Sequence, residues 1–178
     1  MAFLIKSAKN RVAGPSSPGF AWLDQRELVS RAAKTVPQTT TEQLFRVYGG
    51  RVLVKALIGE VTTIMPATDA QLSVLSKKLD NAGAAVGTAV TIASTVTSAN
   101  REVGGTFYVE GDGTALVAAN AGNVLIGSNS GQWICPQGEI YLNAAASSTT
   151  GAIKWDLWYQ PLDPGAYVVA VDVATAAI

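Results

Sequence analysis

The chain has 178 residues, of which 48% are hydrophobic and 15% charged, and its formal net charge is zero. That composition is too apolar for a disordered chain and long enough for one domain with additional segments. Zero net charge leaves no cationic excess for nucleic-acid binding, and the complete absence of histidine removes the commonest general base, proton shuttle and metal ligand together.

Residues 1–40 read as an N-terminal arm and linker. A short apolar tip, Phe3-Leu4-Ile5, precedes a basic stretch containing Lys6, Lys9 and Arg11. The tip is far too short for the apolar core of a secretory signal. Gly14-Pro15-Ser16-Ser17-Pro18-Gly19 follows, a run that neither a helix nor a sheet tolerates. Trp22, Leu23, Val29 and Ala33 then make a partial apolar stripe, which predicts one short helix over 21–33. Residues 1–36 carry a net +4 against −4 for the rest, a basic leader before a mildly acidic body.

From about residue 41 the hydrophobic period becomes two, and the body is expected to span 41–165. Arg51 to Ile58 is apolar on nearly both faces, the pattern of a strand buried on both sides. In Gln71 to Leu79, Leu72, Val74 and Ser76 share one face and Ser73, Leu75 and Lys77 the other. Thr88–Ile92, Thr106–Val109, Leu116–Val117 and Val124–Ile126 read as short strands, with turns at Glu110-Gly111-Asp112-Gly113 and Asn120-Ala121-Gly122-Asn123. Glu139 to Leu142 is another strand. The clearest is Ala152 to Tyr159, where Ile153, Trp155, Leu157 and Tyr159 share one face and Lys154, Asp156, Trp158 and Gln160 the other. Strands at this spacing, with Gly and Asn turns between them, predict an all-β fold: an antiparallel β-sandwich or jelly roll with an extended N-terminal arm. Residues 166–178 form a strand-prone tail in which Tyr167, Val169 and Val171 alternate. Free in water it would be an adhesive edge, so it must pair within its own sheet or on a neighbour.

The candidate chemical motifs are weak. Glu110-Gly111-Asp112-Gly113 shares acid–glycine alternation with calcium loops but lacks the further oxygen ligands of an EF-hand, so a plain turn is expected. Gly83, Gly87, Gly104 and Gly105 have no lysine-serine or lysine-threonine pair to complete a phosphate loop. Asp156 and Glu139 form an improbable glycosidase pair. Cys135, within Gln132-Trp133-Ile134-Cys135, reads as a small buried apolar residue. Trp133, Trp155 and Trp158 with Tyr141 and Tyr159 have the composition of a sugar platform, but core and interface packing is the favoured reading. Trp158, opposite the Trp155 face, is assigned to an interface or to a second core face. No catalytic, cofactor or metal residues are assigned. No stretch approaches the ~20 apolar residues of a membrane span.

Phe45-Arg46-Val47-Tyr48-Gly49-Gly50-Arg51-Val52-Leu53-Val54, Leu57-Ile58-Gly59-Glu60-Val61-Thr62-Thr63, Gly138-Glu139-Ile140-Tyr141-Leu142-Asn143, Gly151-Ala152-Ile153-Lys154-Trp155 and Tyr159-Gln160-Pro161-Leu162 occur in that order. Over residues 42–165 this pattern resembles the capsid decoration, or cement, proteins of tailed bacteriophages. The resemblance implies a β-sandwich or jelly-roll body without catalysis. It also implies binding to the outer surface of a major capsid protein shell, often as a trimer, and a place on the virion after synthesis in the host bacterial cytoplasm. Low charge is consistent with surface that a partner covers. The expected interface residues are Phe3, Leu4 and Ile5 as anchors, Lys6, Lys9 and Arg11 against acidic surface, and Trp158, Tyr167, Val169 and Val171 on the body and tail. The partners expected are the shell protein and copies of this chain, most simply as a homotrimer, with no nucleic acid, membrane, cofactor or small-molecule substrate. Two other readings stand beside it: a glycan-binding β-sandwich module on a tail or head fibre, and a tail or connector component.

Overall fold

The computed structural model describes residues 27–37, 40–67, 71–110, 117–119, 131–145 and 150–171. Among these there are eleven strands and no helix. They are β1 (Glu27–Thr35), β2 (Thr41–Tyr48), β3 (Val52–Thr63), β4 (Gln71–Lys78), β5 (Val90–Thr97), β6 (Thr106–Tyr108), β7 (Val117–Ala119), β8 (Trp133–Cys135), β9 (Gly138–Ala144), β10 (Ala152–Pro161) and β11 (Tyr167–Ala170). One sheet runs β1-β10-β3-β6-β7, with β8 also on β3; the other runs β11-β2-β9-β4-β5. Every pairing is antiparallel.

The pairings explain the architecture. β1 pairs β10, β2 pairs β9, β3 pairs β8 and β4 pairs β5, so the chain is one long hairpin rolled until successive pairs fall on alternate sheets. That winding is a jelly roll. β6 and β8 lie along the same strand, opposite Ile58–Glu60 and Val52–Val54 of β3 respectively. The two inner faces bury a single apolar core. It is built by period-two alternation from both sheets: Leu72 and Val74 on β4, Ile140 and Leu142 on β9, Ile153, Trp155, Leu157 and Tyr159 on β10.

Two expectations need correction, and a third falls outside the described residues. Residues 27–35 are a strand, not the end of a helix, because the free edge of β10 supplies a ladder from Glu27↔Tyr159 to Thr35↔Ala152 that outweighs a weak helical stripe. The body therefore begins at Glu27, inside the segment assigned to the arm. β3 is buried on one face only; its outward Leu53, Ala56 and Ile58 are half-buried. The strand expected at Val124–Ile126 lies outside the described residues.

Two turns lock together where the sheets meet their connections. Gly49 has φ 72°, in the left-handed region that favours glycine, and a Cβ there would sit 2.4 Å from the Gly165 carbonyl oxygen. Beside it, Arg51 donates from Nε and Nη2 to the two Asp163 carboxylate oxygens at 3.0 and 2.8 Å, and from its backbone N–H at 2.7 Å. These bonds hold the Asp163 carboxyl down at about 2. Backbone strain and a collision with main chain add at this point. Gly49→Ala is expected to cost about 2–4 kcal/mol in denaturant titration; a loss below about 0.5 kcal/mol would show that the two turns are not rigidly packed.

Candidate functional site

The sandwich presents two outer faces, and they differ in chemistry. On the β1-β10-β3-β8 side, registers place Leu28 beside Trp158 and Trp158 beside Ala56, then Leu53 beside Ile134. Leu28 is 53% and Ile134 60% exposed, while Trp158, Leu53 and Ile58 are half-buried. An apolar band thus crosses four strands of that sheet. Lys154 and Asp156 form an ion pair on the same face at 3.0 Å.

On the β11-β2-β9-β4 side the outward positions are polar or aromatic. Tyr167 stacks on Tyr48 with ring centroids 5.3 Å apart and planes 19° apart, and the Arg46 guanidinium lies 5.0 Å over the Tyr48 ring. Arg46 approaches Glu139 at 3.9 Å, Tyr141 donates its hydroxyl hydrogen to Glu139, and Asn143 Nδ2 donates to Ser73 Oγ at 3.2 Å. A recess of about 190 Å³ lies among Thr41, Leu75, Lys77, Ala89 and Tyr141. A larger open cleft of about 400 Å³ is lined by Gly50, Arg51, Lys78, Leu79, Asp80, Asn81, Val86, Pro136 and Gln137. Its one carboxylate, Asp80, accepts the Ala82 and Ala84 N–H groups through Oδ1 at 2.9 and 2.7 Å, the pattern of a turn-forming aspartate.

The predicted interface residues scatter. Phe3, Leu4, Ile5, Lys6, Lys9 and Arg11 lie outside the described residues. Trp158 projects from the outer face of its sheet, and Tyr167 and Val169 project from the outer face of the other. Val171 serves through its backbone: its N–H donates to the Leu44 carbonyl at 3.0 Å and its carbonyl accepts from Arg31 Nε at 3.0 Å. Within the described part of the tail, Tyr167–Ala170 pair on β2, and two side chains from the opposite sheet bond to the other edge of this strand. Buried Arg31 also bonds Glu42, which Lys34 shares. The Tyr159 hydroxyl donates to Glu27 and accepts the Val168 N–H. A latch therefore ties β1, β2, β10 and β11 along one side of the sandwich.

The five aromatics weighed as one platform do not meet: Trp133, Trp155 and Tyr159 are core, while Trp158 and Tyr141 stand on opposite outer faces. Asp156 and Glu139 are likewise on opposite faces and cannot act on one substrate. Tyr48, the partner of Tyr167, went unnoticed in the sequence, although both tyrosines adjoin glycine turns that bring their strands side by side. Among the described residues no group of three or more Cys, Asp or Glu is placed to hold a metal ion.

Burial pushes the Cys135 thiol up to about 11, with a contact to Ser76 opposing it. Burial and then the Glu27 bond push Tyr159 up to about 12. Both acids are kept neutral by folding, so the unfolded chain releases these protons first as pH rises. Their stabilisation is complete below pH ~9 and is lost between about 9 and 12, at up to about 1.4 kcal/mol per pH unit for each group. Denaturant titrations at a series of alkaline pH values should show this fall, and Tyr159→Phe should remove its upper part. A flat profile from 9 to 12 would contradict the assignment.

No protein-family model matches the chain, and no curated protein matches it.

Proposed function

We propose that this protein is a structural, non-enzymatic virion component that binds and stabilises the outer surface of a tailed-phage capsid, in the manner of a decoration or cement protein. The observation that supports this reading best is the apolar band of Leu28, Trp158, Leu53, Ile58 and Ile134 across one sheet face. Contiguous exposed apolar surface of that kind marks contact with another protein. Jelly rolls recur among virion and lectin domains, which agrees with the sequence resemblance at the level of fold analogy. A protein that binds the assembled lattice and not separated subunits stabilises that lattice by mass action.

Copies of the chain have a second surface for meeting one another. Asn81 to Val90 are ten consecutive exposed residues, and no charged residue occurs between Asn81 and Asn100. The adjoining edge strand β5 carries two bulges against β4, which spoil it for strand addition, so this surface would be used by packing and not by sheet extension. Sedimentation at micromolar concentration is expected to give a trimer; a clean 18.4 kDa monomer would count against self-association. The shell reading is tested by mixing with undecorated capsids and by a density map of the particle. Trp158→Asp and Leu28→Asp should each lower occupancy; unchanged occupancy in both would exclude this face as the attachment. Deleting residues 2–26 tests the arm separately, since it leaves β1 in place.

A further inference from the structure

We infer that the outer face of the β11-β2-β9-β4 sheet is a binding site for a short neutral oligosaccharide. The inference stands apart from the shell-binding reading, which uses the opposite face. It starts from what this face lacks. Its outward positions are Tyr167 and Val169 on β11, Thr41, Gln43, Arg46 and Tyr48 on β2, Glu139, Tyr141 and Asn143 on β9, and Ser73, Leu75 and Lys77 on β4. Only Val169 and Leu75 are aliphatic, so the face lacks the apolar centre of an obligate protein interface.

The charge argues in the same direction. Arg46 and Lys77 flank Glu139, each in register with it, leaving a face of net +1. Nucleic acid needs several uncompensated cations, because its affinity comes from displacing counterions. An acidic peptide would need the same. What remains is a neutral ligand that offers both C–H faces and many hydroxyl groups, which is a sugar.

The face supplies both kinds of contact. Tyr167 is 49% exposed at the sheet edge, and its ring is braced from behind by Tyr48 and, through Tyr48, by Arg46. An aromatic already stacked gives up little rotamer freedom when a ligand packs on it. At the other end Tyr141 borders the recess with Lys77 and Thr41. Tyr141 stands opposite Gln43, and Tyr48 lies further along the same strand; allowing for the bulge, four strand rises separate the levels, about 14 Å. Two aromatic contacts at that spacing fit a chain of sugar rings better than one ring. Between them Arg46 and Glu139 present a donor beside an acceptor, suited to neighbouring hydroxyl groups.

The test is an array of immobilised neutral oligosaccharides of glucose, galactose, mannose and N-acetylglucosamine, followed by titration calorimetry on any retained member. The full chain should retain at least one class. Tyr167→Ala and Tyr141→Ala should each weaken binding by about fivefold to tenfold, with the thermal midpoint of Tyr167→Ala lowered by only a few degrees, the loss of one stack at a half-exposed edge. Trp158→Ala, on the opposite face, should bind as the unaltered protein does. The inference is overturned if no oligosaccharide is retained, or if both tyrosine variants bind normally. It is equally overturned if the tyrosines prove to hold a second copy of the chain, seen as concentration-dependent sedimentation abolished by Tyr167→Ala.

Discussion

Trp155→Ala is expected to cost about 3–5 kcal/mol of folding stability, the range for deleting a large aromatic from a packed core. Trp155 is the largest fully buried side chain among the described residues, 1% exposed. Its register neighbours are Arg31 on β1 and Gly59 on β3. The indole occupies the space above Gly59: a Cβ on that glycine would come 2.9 Å from the ring. A small residue opposite a large one is how facing strands fill a layer without a void, so no neighbour can collapse into the cavity that alanine leaves. The loss is a large share of the ~5–15 kcal/mol that holds a typical domain together. Trp158→Ala, three residues along the same strand and on its outer face, should cost much less. Denaturant titration of both variants distinguishes the faces; equal losses would mean that the alternation along β10 is misassigned.

The second large effect concerns where the chain can be shortened. Removing residues 2–26 should leave cooperative unfolding in place, because β1 begins at Glu27 and keeps its whole ladder to β10. Removing residues 2–36 should abolish cooperative unfolding or cost well over about 4 kcal/mol. That deletion strips β1 from β10, takes Val36 out of the core and removes both cations from Glu42, which is only 10% exposed. It also leaves the Val171 carbonyl without its Arg31 bond and the Tyr159 hydroxyl without Glu27, so the latch over β11 opens. Thermal melts of the two truncations give the answer directly. If the longer deletion melts like the full chain, β1 is dispensable. The consequence for function is practical: only the shorter deletion separates attachment by the leader from collapse of the body.

Alternation along the chain is enough to assign the fold class and much of the core. Period-two alternation assigned Trp155, Ile153, Leu157 and Tyr159 to one face of β10 and Leu72 and Val74 to one face of β4, and the structure buries these residues. Burial of alternate side chains is a local property of an extended chain, so it can be read residue by residue. The tertiary structure decided the rest, because it depends on which strands become neighbours. Glu27–Thr35 is a strand only because β10 has an open edge beside it. Arg31 reads as a surface cation until the roll of the hairpin brings Glu42 and the distant Val171 carbonyl against it. The strand-prone Tyr167–Ala170 stretch is satisfied for the same reason: it pairs on β2, and Tyr159 and Arg31 from the opposite sheet bond Val168 and Val171 at its other edge. Asp156 and Glu139 are separated because that winding puts their strands on opposite sheets, and Tyr48 and Tyr167 are joined because β11, beyond the hairpin, folds back onto the open edge of β2.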